Sequence, residues 1–159
     1  MRFLDESLLL SASDLGNHLG CRHLTYLDLR VARGELKAPS YTDPALEALK
    51  ERGLQHERGY IEHLRLQGLS IVELPELGDV EAHFEAACAA MHDGSDVIVQ
   101  ATLLSNGWLG RADVLRRVEI PSKLGDYSYE VVDTKLARED QRTNDSSALP
   151  LLGLSLIHI

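Results

Sequence analysis

The chain has little cysteine. Cys21 and Cys88 are its only two, and they lie far apart. They cannot build a disulfide framework, and a reducing cytosol is the compartment that fits. No signal peptide is expected at its start, because Asp5 and Glu6 precede the brief run Leu8-Leu9-Leu10. No stretch approaches the roughly 18 apolar residues of a spanning helix, so no membrane partner is expected. Positive charge is also scarce. Lys and Arg number 16 against 25 Asp and Glu, a net charge of -9. Residues 1–80 carry 9 against 13, and residues 81–159 carry 7 against 12, so no basic tail exists. This excludes a generic basic nucleic-acid binder. Contact with nucleic acid would have to be local, or run through a bound cation.

What is present is enough for one domain. The 159 residues are 44% hydrophobic and 26% charged, the composition of an ordinary globular protein. Ser11-Ala12-Ser13-Asp14 reads as a helix start with a reciprocal cap. Leu15, Leu19, Leu24, Leu27 and Val31 follow at helical spacing, with Gly34 as the stop. Asp43-Pro44 opens a second helix. Leu46, Leu49, Gly53, His56, Tyr60 and Leu64 share one face of it, and Gly68 ends it. Ile71 to Leu74 is a short strand. Val80 to Met91 is helical, with Phe84, Ala87, Cys88 and Met91 inward and Gly94 as the stop.

The period then changes to two. Val97, Val99, Ala101 and Leu103 alternate with polar or smaller residues, a strand signal. Asn106-Gly107 is the strongest turn dipeptide in the chain. Trp108 to Ile120 is the returning strand, Pro121 to Asp126 a loop, and Tyr127 to Ala137 a third long strand. Helices followed by strands predict an α/β class with a mixed sheet of three to four strands. Repeats are absent. Residues 141–159 carry no fold signal and are expected to be a non-native or disordered tail. Within them, 154–159 (Leu-Ser-Leu-Ile-His-Ile) resembles the translation of a transposon-end adapter used in sequencing libraries. The expectation is that the natural protein continues beyond this fragment.

Chemistry concentrates on two strands. Asp113 follows Gly110-Arg111-Ala112, and Asp133 and Lys135 follow Glu130-Val131-Val132. Strand side chains alternate, so Asp133 and Lys135 share a face. Asp113 is 20 residues earlier with one loop between, so the strands are expected to be neighbours and the carboxylates to converge. Two carboxylates with waters and substrate phosphate are a common shell for Mg²⁺. Such a cation polarises a phosphoryl oxygen and activates water, and a lysine beside it neutralises developing charge. An unpaired Asp133 in an apolar strand would be costly.

A helix with a histidine near its middle, an Asp strand, then Asp-x-Lys on the next strand resembles the PD-(D/E)XK nucleases. The likeness is greatest to the RecB-like branch, which includes the Cas4 nucleases. Within it, Leu10-Ser11-Ala12-Ser13-Asp14-Leu15, Cys21-Arg22-His23-Leu24-Thr25, Arg52-Gly53-Leu54-Gln55-His56-Glu57 and Val132-Asp133-Thr134-Lys135-Leu136-Ala137 look like an uncharacterised group of RecB-like nucleases. The resemblance spans residues 8–140. It implies a restriction-endonuclease-like core and a Mg²⁺- or Mn²⁺-dependent deoxyribonuclease, acting on single strands or DNA ends. Asp113, Asp133 and Lys135 would be catalytic, with His56 joining the metal and Glu57 assisting. It further implies repair, a helicase domain in the full-length chain, and an iron–sulfur cluster for which Cys21 is the upstream ligand. The Gln-x-x-x-Tyr motif and three further cysteines of that branch are missing, so the fragment is not expected to cut efficiently or hold the cluster. Ala112-Asp113 replaces the family's Pro-Asp.

Other readings stand beside these. Asp133 and Lys135 could be a surface ion pair, and His56 a core histidine. Cys21, Cys88 and Trp108 could simply pack. His18, Cys21 and His23 are wrongly spaced for joint zinc chelation. Arg111, Arg116 and Arg117 are candidates to touch phosphates, although Arg111 could pair with Asp113. Against a nuclease stand a decayed nuclease fold that binds nucleic acid or a partner without cutting, and a non-nuclease metal or structural domain.

Overall fold

The computed structural model describes residues 1–40, 43–74 and 79–132. Asp133, Lys135 and the tail at 141–159 lie outside them. Within them the architecture is α/β. A hairpin of β1 (Arg2–Leu4) and β2 (Ser7–Leu9) precedes α1 (Ala12–Gly20), α2 (Arg22–Ala32) and α3 (Pro44–Leu66). Next come β3 (Ile71–Glu73), α4 (Val80–His92), β4 (Val97–Ser105), β5 (Trp108–Val118) and β6 (Ser128–Val132). The main sheet has the order β3-β4-β5-β6, with β3 parallel to β4 and the remaining pairs antiparallel. It is therefore a mixed four-stranded sheet. No helix among the described residues is long and apolar enough to cross a membrane.

The sheet is covered on both faces. On one, α4 presents Ala87, Ala90 and Met91 to Ile98, Ala101, Ala112, Leu115 and Tyr129. On the other, α3 presents Ile61 and Leu64 to Val97, Val99 and Val114. This corrects the expected alternation along β4. Val97, Ile98 and Val99 are all buried, because a central strand covered on both faces reads as a continuous apolar run.

Two helix expectations also need correcting. The first helix is two, broken at Cys21, whose backbone is extended at φ -158, ψ 110. Gly20 is a poor helix former, and one residue closes α1 and opens α2. The halves are tied by Asn17 Nδ2 donating to Asp28 Oδ2 at 3.1 Å and by a 2.8 Å contact of His18 Nδ1 with Thr25 Oγ1. In α3 the expected inward stripe holds only at its C-terminal end. Leu64 is buried, whereas Leu46, Leu49 and His56 are exposed. Only the last turns reach the sheet, where Arg65 also pairs with Glu73 of β3.

The reciprocal cap is present. Ser11 accepts from the Asp14 amide, and the Asp14 carboxylate accepts from the Ser11 amide and hydroxyl, both at 2.7 Å. The Met1 amine lies 2.5 Å from the same carboxylate. Burial alone would raise the Asp14 carboxyl, but these hydrogen bonds outweigh it and hold the group below its usual 3.8. The contribution is thus complete above the unfolded value and is lost as pH falls through the folded one. Asp14→Asn is expected to flatten the acid limb of a urea-midpoint profile between about pH 5 and pH 2. Ser11→Ala should cost about 0.5–2 kcal/mol at neutral pH.

The C-terminus of α4 is held by β6 and β5. Tyr127 donates to Met91 O at 2.9 Å, and Tyr129 to Ser95 O at 2.7 Å. Burial pushes the Tyr129 hydroxyl up to about 12. Arg117 stacks 4.3 Å from the Tyr127 ring centroid and donates to Gly94 O. Arg117 is thereby a structural tie and not the free phosphate contact the sequence suggested.

Candidate functional site

Asp113 sits half-buried in the middle of β5. The β4–β5 turn at Asn106-Gly107 has φ 48 and 80, the pair of left-handed residues that a two-residue hairpin needs. It fixes the register, with Val99 opposite Val114 and Ala101 opposite Ala112. Gln100 lies between these pairs, across from Asp113. Its φ is 58, an uncommon conformation for a non-glycine residue inside a strand. The pleat slips there. Ile98 and Ala101, three apart, both pack toward α4, as do Ala112 and Leu115 on the partner strand. Strained backbone of this kind persists where the surroundings over-determine it, and it concentrates at functional sites.

The Gln100 side chain leaves the sheet and donates from Nε2 to Glu57 Oε1 at 2.5 Å. Glu57 belongs to α3, one turn before Tyr60 and Ile61, which face the sheet. Its position is therefore set by helix docking. Glu57 and Gln100 thus join α3 to β4, and the flanking pairs Val99–Val114 and Ala101–Ala112 bring Asp113 of β5 level with Gln100. His56 is the adjacent residue of α3 and is exposed. The β5–β6 ladder approaches from the other side, with Arg116 opposite Glu130, Leu115 opposite Val131 and Val114 opposite Val132. Asp113 precedes Val114 on β5, and Asp133, the residue after Val132 in the sequence, lies outside the described residues.

The carboxylates of Asp113 and Glu57 and the amide oxygen of Gln100 are of the type that a hard divalent cation takes as ligands. Among the described residues alone, no group of three His, Cys, Asp or Glu is placed to hold a metal. The cluster fares differently. Cys21 is exposed at the break between α1 and α2, and Cys88 is half-buried on α4, where burial raises its thiol. Two cysteines cannot supply the four thiolates of a cluster. Gln100 was missed from sequence, where its only signal is a polar residue interrupting the run Val97-Ile98-Val99. His83 was missed too, although it stands four residues before Ala87 and eight before Met91 on the inward stripe.

Compared with family models, with curated proteins and with solved structures, the chain finds no match.

Proposed function

We propose that the chain carries the metal-binding part of a DNA nuclease of RecB/Cas4 type. The observation behind this reading is the β5–β6 register. Val114 pairs with Val132, and Asp113 and Asp133 are their immediate neighbours in the chain. A peptide link holds neighbouring Cα atoms about 3.8 Å apart, and on this reading both carboxylates stand beside that pair. Glu57 and Gln100 add oxygen on the α3 side, and His56 is one residue further along the helix surface.

When bound, Mg²⁺ or Mn²⁺ polarises the scissile phosphoryl group and supplies an activated water. Asp113 and Asp133 supply the charge that holds the cation. Lys135 offsets negative charge growing on the phosphate. Gln100 keeps the Glu57 carboxylate in a fixed orientation toward the site. DNA, as a single strand or an end, is the substrate this assigns, and the chain's net charge of -9 makes the cation the route by which phosphate is accepted.

The reading is tested by Mn²⁺ titration of the chain, paired with cleavage of labelled single-stranded DNA by the full-length protein in Mn²⁺ against EDTA. Metal binding lost in Asp133→Ala, with cleavage lost in Lys135→Ala, supports it. Unchanged cleavage in both variants removes it. Retained Mn²⁺ binding with no cleavage, on the uninterrupted full-length protein, would favour the non-cutting binding domain.

A further inference from the structure

A second polar site lies where the start of α1, the start of α4 and the β4–β5 hairpin meet. A cleft of about 580 Å³ is lined by Arg2, Ser11, Ala12 and Ser13, by Val80 and His83 of α4, and by Thr102 and Arg111 of the hairpin strands. Two helix N-termini meet there. Ala12 and Ser13 open α1 and Val80 opens α4. The first amides of a helix have no partner within it and carry its positive end. Carboxylates answer only part of this need: Asp14 accepts from the Ser11 amide and hydroxyl, and Asp79 accepts from the Glu81 amide.

His83 is the independent observation. The residue is only 2% exposed, and neither ring nitrogen has a hydrogen-bond partner among the described residues. Leaving a buried polar group unpaired costs about 1–3 kcal/mol. A neutral imidazole needs one donor and one acceptor partner, and a charged one needs two acceptors. His83 lines the cleft together with two exposed arginines, Arg2 and Arg111. In a chain of net charge -9, Arg2, Arg111, two helix N-termini and an unpartnered histidine around one cavity form a local positive site. Its volume falls within the roughly 300–1,000 Å³ typical of ligand pockets and exceeds what a bare oxyanion fills.

We infer that this cleft binds a phosphate group, held by Arg111, Arg2 and the α1 amides, with His83 gaining from it the partner it lacks. The source assigned is a nucleic-acid strand, and only that source rests on the nuclease reading. Arg111 and Asp113 are two residues apart on β5. That is about 6.8 Å along a strand, a separation that one short stretch of nucleic-acid backbone can span. The cleft would thus grip the backbone close to the phosphate being cut and set its register.

The test follows the imidazole of His83 in the chain labelled with ¹⁵N at its 7 histidines, with H83Q identifying the signal. Inorganic phosphate is expected to shift that signal saturably. Arg111→Gln, at an exposed position, should raise half-saturation at least tenfold, and Arg2→Gln should raise it less. A single-stranded oligonucleotide that saturates at least tenfold below inorganic phosphate marks the strand as the source. Equal saturation by the two marks a free phosphate and overturns the strand assignment. No saturable shift with either probe, or a half-saturation unchanged in Arg111→Gln, overturns the site itself. Asp113→Asn separates the two readings. It should weaken Mn²⁺ binding at least tenfold while leaving the phosphate-induced shift in place, so either site can fail alone.

Discussion

Asp113→Asn is expected to weaken Mn²⁺ binding at least tenfold and to lower metal-dependent DNA cleavage about a thousandfold. The substitution keeps the shape of the side chain and removes one negative charge. A carboxylate ligand contributes to holding the cation, and the cation is worth several kcal/mol of charge stabilisation in the transition state. Each 1.36 kcal/mol is tenfold in rate, so losing about 4 kcal/mol gives the thousandfold figure. Any change in fold stability is read separately, since Asp113 is half-buried between the buried Ala112 and Val114. Calorimetric titration with Mn²⁺ and a urea melt on the same sample separate the two effects. Wild-type affinity in the variant would remove Asp113 from the site.

How much of this was legible in the sequence follows from where the decisive interactions lie. The cap at Ser11 and Asp14 and the turn at Asn106-Gly107 are local, and both read correctly. The inward positions Ala87 and Met91 were legible because one long helix packs on one sheet. The β1–β2 hairpin was not, since strands of three residues leave no periodic signal. Its turn depends on Asp5 at φ 50, a conformation that aspartate adopts without announcing it. The break at Cys21 was hidden because Leu19 and Leu24 keep helical spacing across it, yet both are exposed. Among the site residues, Asp113 stands on β5 as expected. The bond from Gln100 to Glu57 could not be read, because it joins residues 43 apart in the chain and depends on a left-handed strand residue. Asp133 and Lys135 fall outside the described residues, and their roles rest on register and resemblance.

The docking of α3 decides whether Glu57 and His56 stand at the site at all, and Leu64→Ala is expected to disrupt it. Leu64 is 2% exposed and packs with Ile61 against Val97, Val99 and Val114. The N-terminal turns of α3 contribute little hold, since Leu46 and Leu49 are exposed. The exposed Arg65–Glu73 pair adds little more, as surface ion pairs are typically worth under about 1 kcal/mol. Burial of Ile61 and Leu64 is therefore what fixes the helix. Truncating a buried leucine costs about 2–5 kcal/mol, from lost transfer energy and the cavity left behind. Against a total stability of about 5–15 kcal/mol, that is a large share. The loss should appear as a lower urea midpoint with little change in slope. The same variant should weaken Mn²⁺ binding even at temperatures where it remains folded, because a loosened α3 no longer holds Glu57 against Gln100. Leu66→Ala, two residues on and 86% exposed, should change neither quantity. A Leu64→Ala variant that kept both its urea midpoint and its Mn²⁺ affinity would show that α3 is held to the sheet by something other than this buried pair.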